Sequence, residues 1–211
     1  MKNVREYEKD LASIRTMMER SAKFISLSGL SGILAGVYAI AGAAAAYAII
    51  PGSLSQSDYE RATLAPSDTV IRLLVIAAVV FVASITTGLL LSSRQAKKQG
   101  VKFWTASSER LLINVAIPVV TGGIFIVILL LQGQYHLAAP ASLIFYGLAL
   151  LLGSANTFDE IRYLGFCEII LGLIAAYFSG YGLIFWALGF GVLHIVYGVI
   201  MYNKYDKQES I

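Results

Sequence analysis

The sequence predicts an all-α, polytopic membrane protein with six transmembrane helices. Of its 211 residues, 57% are hydrophobic and 14% are charged, whereas soluble proteins carry roughly 25% charged residues. The apolar residues gather into runs, most of them near the roughly 20 residues that cross a bilayer as a helix. Backbone polar groups in lipid must be paired within their own segment, so each run is predicted to be a helix. The six runs cover about residues 24–50, 70–91, 111–131, 138–155, 163–179 and 183–202.

Basic residues predict how these spans are oriented. Of the 16 Lys and Arg residues, 14 fall in the N-terminal segment, the second and fourth connections and the tail, whereas Arg61 and Arg72 belong to the opposite side. The positive-inside rule therefore places both termini in the cytoplasm. The net charge of +3 follows mostly from this asymmetry and needs no nucleic-acid partner. Basic residues beside the spans are expected to meet anionic lipid headgroups, and in the second connection these are Lys97, Lys98 and Lys102.

Three sections are predicted along the chain: an amphipathic cytoplasmic helix at 1–23, the six-helix transmembrane domain at 24–203 and a cytoplasmic tail at 204–211. In the first section, Val4, Leu11 and Met18 belong to an a/d pattern of apolar residues with charges between them. Such a helix either lies on the membrane surface or contacts a second copy or a partner protein. A homo-oligomer therefore stays open as an alternative.

Small residues and one proline mark two of the spans. The first span contains Gly32 and Gly36, at the four-residue spacing that lets helices approach closely in lipid. In the third span Pro118 lacks an amide donor and clashes with the preceding turn, and Gly122 and Gly123 follow it. These three residues predict a helix break, which is either a kink or, as in some transporters, a discontinuous helix whose freed carbonyls line a site.

Two segments of the second half resemble each other. Residues 143–150 and 183–190 both begin with Leu-Ile-Phe and an aromatic residue, and they are 40 residues apart. Both would run in the same direction across the membrane. We therefore predict tandem helical hairpins, three of which make six spans.

Two ionisable side chains deep in apolar runs form the candidate site. Glu168 is in the fifth run and His194 is in the sixth. An acidic residue in a membrane helix is costly unless it faces protein or water. Each of the two shares a helix face with small residues such as Gly172 and Gly198. Because membrane helices touch along such faces, Glu168 and His194 are predicted to approach each other across the contact between helices five and six.

Further polar residues fall in the same half of the bilayer as this pair. They predict a polar vestibule that is open to the cytoplasm and closed outside by apolar packing. The alternative is that each polar group bonds a neighbouring backbone and only holds helices together. The residues assigned to the site besides Glu168 and His194 are Ser31, Asn114, Asn156 and Tyr197.

Two stretches carry a resemblance to known proteins: the charged turn Asp159–Gly165 with Glu168–Gly172, and the segment Gly189–Gly198. They are similar to a family of small uncharacterised six-span proteins of the bacterial inner membrane. The resemblance implies the six-span topology and this location. It implies no activity and no functional residue.

Three classes of function follow from these patterns. The first is a small transporter or channel-like protein that uses the region of Glu168 and His194. The second is a non-catalytic sensor or scaffold that acts through the N-terminal helix. The third, an intramembrane hydrolase, is remote, since Ser154 stands in Gly-Ser-Ala and lacks the Gly-x-Ser-Gly arrangement of rhomboid proteases. Catalysis and a cofactor are therefore not expected. Zinc usually has three protein ligands, so no metal site is predicted either.

Overall fold

A computed structural model describes residues 27–49, 67–178 and 180–207. The predicted amphipathic helix at 1–23 and most of the first outer loop lie outside these residues. Within the described ranges all regular structure is helical and no strand occurs. The helices are α1 Gly29–Ile49, α2 Ser67–Lys98, α3 Ala106–Leu131, α4 Ala138–Ser154, α5 Glu160–Tyr177 and α6 Gly182–Asp206.

Length and composition make five of the described helices capable of crossing a membrane: α1, α2, α3, α4 with the short turn before it, and α6. α5 is not among the five, and it carries three charged residues, Glu160, Arg162 and Glu168. Large apolar side chains are exposed along the outside of the bundle, for example Val79 and Val82 on α2 and Ile117 on α3. Such a surface suits contact with lipid.

The helices pack as two blocks. α1 packs against α2 and against α6, and we call α1, α2 and α6 the first block. α4 packs against α3 and against α5, and these three helices are the second block. The contact between the blocks is called the seam, and it is formed mainly by α6 on one side and by α4 and α5 on the other.

Helices that follow each other in sequence run in opposite directions, so one end of the bundle collects the charges. The start of α1 lies against the end of α6, where Gly29 approaches Tyr202. The start of α5 meets the same region, because Glu160 pairs with Lys204. All basic residues in the described ranges except Arg72 lie towards this end, which we call the charged end. The positive-inside rule requires the basic residues to lie on one side of the membrane, and their location at one end of the bundle agrees with this requirement.

Glycines allow the closest helix contacts, and they lie within the blocks. A methyl group added at Gly36 of α1 would lie 2.6 Å from the carbonyl oxygen of Gly191 on α6. One added at Gly147 of α4 would lie 2.7 Å from the carbonyl oxygen of Gly165 on α5. Both distances are too short for a real side chain, so each block depends on glycine at these crossings.

Of the two alternatives predicted for the third span, the discontinuous helix is not found, whereas a kink stays a prediction. α3 is one continuous helix through Pro118, Gly122 and Gly123. Pro118 is buried, and Gly122 lies directly against the side chain of Phe145 on α4, so this glycine serves close packing. A proline removes only its own amide donor from the helix, and neighbouring helices can hold the remaining turns in place.

The irregular helix is α6 instead. It changes between α-helical and π-helical geometry in four pieces: Gly182–Trp186 (α), Ala187–Leu193 (π), His194–Met201 (α) and Tyr202–Asp206 (π). π-helical turns are rare and often occur at functional sites. The helix also continues to Asp206, so the predicted tail at 204–211 begins with residues that are still helical.

The predicted hairpin arrangement is followed only in part. α1 packs on α2, and α3 packs on α4, as two tandem hairpins would. The third hairpin is not formed as expected, because α5 packs mainly against α4 and α6 mainly against α1. The 40-residue offset pairs Gly147 with Ala187, but the glycine of α6 that meets Gly36 of α1 lies one turn later, at Gly191.

Candidate functional site

Glu168 is fully enclosed in the bundle. Its side chain has no exposed surface, and it is one of the largest side chains that the fold buries completely. On α5 it shares its face with the buried residues Leu164, Gly165 and Gly172. This face turns inward because residues three and four apart lie above one another on a helix.

His194 lies opposite, at the junction where the first π-helical segment of α6 ends. It is 6% exposed. Its Nδ1 lies 3.0 Å from the carbonyl oxygen of Gly189, and its Nε2 lies 2.8 Å from the hydroxyl oxygen of Tyr146. A carbonyl can only accept, so Nδ1 carries a proton and donates it to Gly189. In a neutral ring Nε2 then accepts from the Tyr146 hydroxyl.

The predicted approach of Glu168 to His194 is present in the structure. The Oε1 atom of Glu168 lies 3.4 Å from Nδ1 of His194, across the seam. Within the described part of the chain, neither carboxylate oxygen of Glu168 has a hydrogen-bond partner, because the Nδ1 proton is directed at the Gly189 carbonyl. A buried carboxylate without donors is costly when ionised, so the pair is poised to gain or to move a proton.

Glycine at position 189 makes the room for this carboxylate. A methyl group added at Gly189 would lie 2.5 Å from Oε2 of Glu168 and 2.5 Å from the Leu143 side chain. Gly189 is also part of the π-helical segment Ala187–Leu193. Gly189 in the π-helical turn thus leaves space for the Glu168 carboxylate, because it has no side chain, and its carbonyl accepts the hydrogen bond from His194.

Tyr146 of α4 belongs to the site, although it is not among the residues predicted from the sequence. Its ring lies 5.1 Å from that of Phe190 and 5.3 Å from that of His194, between centroids. Its hydroxyl reaches the far nitrogen of the imidazole. The sequence does contain a feature that could have indicated this residue: a tyrosine directly before Gly147, inside an apolar run. A buried tyrosine usually needs a partner for its hydroxyl.

Three of the other residues assigned to the site, Ser31, Asn114 and Asn156, do not gather around this pair. Ser31 donates to the carbonyl of Ser28 at the start of α1. Asn114 is half-buried on α3, which packs against α4 and not against α6. Asn156 lies in the turn after α4, where its amide donates to Gly153. Tyr197, one turn beyond His194, reaches towards Gly32 of α1.

A second set of polar contacts closes the seam at the charged end. Glu160 pairs with Lys204, and it also accepts a hydrogen bond from the Tyr205 hydroxyl at 3.1 Å. Burial raises the pKa of the Glu160 carboxyl, but the hydrogen bonds from Lys204 and Tyr205 outweigh burial, so this pKa lies below its ordinary value. Phe158 stacks on Tyr205 with ring centroids 4.2 Å apart. Asp206 accepts from the amide of Gly29 at 3.0 Å and so holds the first turn of α1.

The predicted polar vestibule does not reach Glu168 in this conformation, because the carboxylate has no exposed surface. A cavity of about 210 Å³ lies between the blocks at the opposite end. Its lining is mostly apolar and comes from α1, α2 and α6 of the first block and from α3 and α4 of the second. Representative lining residues are Ala43, Leu73, Leu130, Ser142 and Trp186.

The chemistry of a hydrolase or a metal site is not assembled around these residues. Ser154 donates its hydroxyl to the carbonyl of Leu151 at 2.7 Å, and both ring nitrogens of His194 are engaged by Gly189 and Tyr146. Across the described ranges, no three His, Cys, Asp or Glu residues are grouped so that they could hold a metal ion.

No protein-family model matches the chain, and neither a curated protein nor a solved structure matches it. Its function is therefore argued from the geometry and the chemistry of the residues described above.

Proposed function

We propose that the protein is a small membrane transporter whose working cycle is linked to protonation of Glu168 and His194. The observation that carries this proposal is the enclosed contact between the two side chains, 3.4 Å apart, with a carboxylate that has no hydrogen-bond donor among the residues that the structure describes. A residue that only joined helices would satisfy its polar atoms. Ionisable residues inside membrane proteins commonly mark ion pathways and proton relays.

The imidazole can pass a proton from Tyr146 to Glu168. A proton that arrives at Nε2 from the Tyr146 hydroxyl allows the Nδ1 proton to leave for the Oε1 atom of Glu168. The product is a neutral carboxylic acid beside a neutral imidazole that now carries its proton on Nε2. A hydronium ion returns a proton to the Tyr146 oxygen and leaves as water, so one proton enters for each proton that reaches Glu168. Histidine suits this task because its two nitrogens can exchange roles near neutral pH.

The proposed topology has six spans with the charged end in the cytoplasm of a bacterial cell, in the inner membrane. The basic residues near this end support the orientation. α5 completes the sixth span, although it carries three charged residues, because Glu160 and Arg162 lie at its first turn and Glu168 faces protein. Membership of the uncharacterised six-span family remains a prediction.

A pH jump tests the proposal without a known substrate. The full-length protein is reconstituted in liposomes on a solid-supported membrane, and the current that follows a rapid change of pH is recorded. We expect a transient charge movement in the wild type, none in Glu168→Gln, and a slower one in Tyr146→Phe. Glu168→Gln keeps the shape of the side chain and removes its titration. Glu109→Gln is the matched control, because it changes an exposed carboxylate at the first turn of α3.

An absent charge movement in the wild type would contradict the proposal. An equal charge in the wild type and in Glu168→Gln would contradict it as well. A sustained current in place of a transient would assign the cluster to a channel.

One observation favours a second candidate, a pH-responsive sensor that transports nothing. Glu168 is closed off from both ends of the bundle in this conformation. A sensor would show the transient charge movement and a change in partner binding, but it would accumulate no solute. The N-terminal helix that such a sensor would use lies outside the described residues.

A further inference from the structure

We infer that the two blocks form an inverted repeat and rock against each other about the Glu168–His194 contact, with Glu160, Lys204 and Tyr205 as the gate at the charged end. This inference deepens the proposed function and rests on it for the coupling to protons. Its own test requires no proton movement.

The repeat is visible in the contacts of α5 and α6. α5 carries Gly165, Ile169 and Gly172, and α6 carries glycine, isoleucine and glycine at the same spacing, 26 residues later. Within this spacing, Glu168 and His194 occupy the same position, directly before the isoleucine. The two ionisable residues are therefore equivalent members of the two blocks.

The partner helices repeat as well. An added methyl at Gly147 of α4 would lie 2.7 Å from the Gly165 carbonyl and 3.0 Å from the Ile169 amide nitrogen. At Gly36 of α1 the corresponding distances are 2.6 Å to the Gly191 carbonyl and 3.0 Å to the Ile195 amide nitrogen.

A second glycine contact in each block has the same sequence spacing as the first. Gly172 of α5 faces Ile144, three residues before Gly147, and Gly198 of α6 faces Ile33, three residues before Gly36. The pairs α4–α5 and α1–α6 thus share the residue spacing, and the contact atoms and distances agree closely at Gly147 and Gly36.

The two pairs point in opposite directions. The start of α5 meets the end of α6, as the contact of Glu160 with Lys204 shows, so superposing α5 on α6 requires turning one block over by half a turn. The axis of this turn passes close to the contact between Glu168 and His194. Transporters built from inverted repeats hold their sites at this place, between the repeats.

Packing within the blocks differs from packing across the seam. Within each block, backbones touch at glycines and leave no space for adjustment. Across the seam, several of the main contacts are polar side chains: Glu168 with His194, Tyr146 with His194, and Glu160 with Lys204 and Tyr205. Closely packed pairs behave as rigid bodies, while side-chain contacts can be exchanged.

The two ends of the seam are built differently, and both are closed off from Glu168 in this conformation. At the charged end, Glu160, Lys204 and Tyr205 hold the blocks together. At the other end the blocks leave the apolar cavity of about 210 Å³ between them. Rocking would open the charged end and close the cavity, which is the movement that exposes a central site to one side at a time.

Thiol labelling in lipid nanodiscs tests this inference. Cys167 is exposed, so it is first replaced by serine. Leu164→Cys reports on the charged end, because this buried residue lies one turn from Glu160 and one turn from Glu168 on the same face of α5. Ser142→Cys reports on the cavity that it lines. The rate of reaction with a water-soluble maleimide is measured for each cysteine variant with the gate residues intact, and again for the same variant with a gate residue substituted.

Lys204→Gln weakens the gate. We expect it to raise the labelling rate at Leu164→Cys several-fold and to lower the rate at Ser142→Cys. Glu160→Gln, which breaks the same contact from α5, should act in the same way and guards against a folding defect in one variant. Lys207→Gln is the matched control, because it removes a neighbouring exposed positive charge and should change neither rate.

Reciprocal changes support the inference. Rates that rise at both reporters, that change at one alone, or that do not change at all would overturn it. The labelling is repeated with Glu168→Gln, because the movement of the blocks should persist when proton binding is lost. Reciprocal labelling in a protein without pH-driven charge movement would therefore reject the proposed proton coupling and leave the rocking intact.

Discussion

The pairs α4–α5 and α1–α6 use the same glycine contacts, yet they present different groups to each other. α5 is a regular helix and contributes an acid, Glu168, whereas α6 is π-helical beside its base, His194. The π-helical segment brings Gly189 to the carboxylate, and nothing equivalent exists on α5, where Tyr163 takes the corresponding place and is exposed. The packing is symmetric, and the chemistry on its axis is not.

This difference indicates which parts of the fold are free to change. Backbone contacts at glycine constrain both pairs in the same way, because no side chain fits there. The irregular turn in α6 is costly, since π-helical turns give up regular hydrogen bonding. Its presence in one pair alone suggests that the site, and not the packing, requires it.

The largest effect is expected from reporter fusions, because topology is all or none. If the pairs are inverted, fusions at Lys98 and after Ile211 should both be active in the cytoplasm, and a fusion at Gln134 should be active on the outside. Lys98 ends α2 at the charged end, and Gln134 follows α3 at the cavity end. An outside reading at Lys98 or after Ile211 would end the six-span model in which both termini are cytoplasmic.

A large loss of stability is expected when alanine replaces the crossing glycines. Gly36→Ala and Gly147→Ala each force a methyl group against a backbone carbonyl within 2.7 Å, and overpacking of this kind costs about 1–3 kcal/mol. If the pairs are equivalent, the two losses should be similar. Gly123→Ala is the control, because nothing lies within 4 Å of the added group. It should be neutral or gain about 0.5–1 kcal/mol.

Unfolding in mixed micelles, followed by helix content, measures these differences. A loss at only one of the two crossing glycines would show that the pairs are not equivalent.

The sequence was informative about residues whose location is decided by their own chemistry, whatever their neighbours are. Glu168 and His194 are costly in lipid wherever they stand, so both could be assigned to the interior, and their contact is present at 3.4 Å. The contact was predicted because the small-residue faces of helices five and six were expected to touch each other, and this expectation was wrong. The small-residue faces of helices five and six touch α4 and α1, at Gly147 and Gly36, and do not touch each other.

Other features depend on neighbours that a single helix does not reveal. Pro118 has the local chemistry of a break, but packing keeps α3 continuous. The π-helical turn at Ala187–Leu193 has no local signal beyond its glycines, because the choice of hydrogen-bond register is made by tertiary contacts. Lys204 was placed in a tail, and its pairing with Glu160 requires α6 to continue past the apolar run.

A smaller effect, on the charge movement after a pH jump, is expected from a substitution at Gly189 of α6. Gly189→Ala places a methyl group 2.5 Å from Oε2 of Glu168, so the carboxylate must move away from His194. The charge movement after a pH jump should be reduced, while the stability should fall less than in Gly147→Ala, because a side chain can shift more easily than a backbone. Gly88→Ala, with nothing within 4 Å, is the control. An unchanged charge movement would show that the π-helical turn does not tune the site.

The smallest effect concerns the gate and pH. The pKa of Glu160 is lowered in the folded protein because its hydrogen bonds to Lys204 and Tyr205 outweigh burial. A carboxylate with a lowered folded-state pKa adds stability above its ordinary pKa of 4.5, and this contribution is lost as the pH falls through the folded-state value. The wild type should therefore lose more stability between pH 6 and pH 3 than Lys204→Gln, whose gate contact is already broken.

Lys207→Gln should follow the wild type, since it leaves the gate contact intact, and comparing these two lysine variants cancels the titration of Glu168 and of the other carboxyl groups. Because the pair is partly exposed, the difference should be small and should shrink further in high salt. The midpoint of thermal unfolding, measured at several pH values in the same detergent, provides the comparison. Identical pH profiles for Lys204→Gln and Lys207→Gln would mean that the contact of Glu160 with Lys204 does not hold the charged end closed. The asymmetry between the two ends of the seam would then need another cause, and the contacts that remain there are the Tyr205 hydrogen bond to Glu160 and the packing of the Phe158 ring on Tyr205.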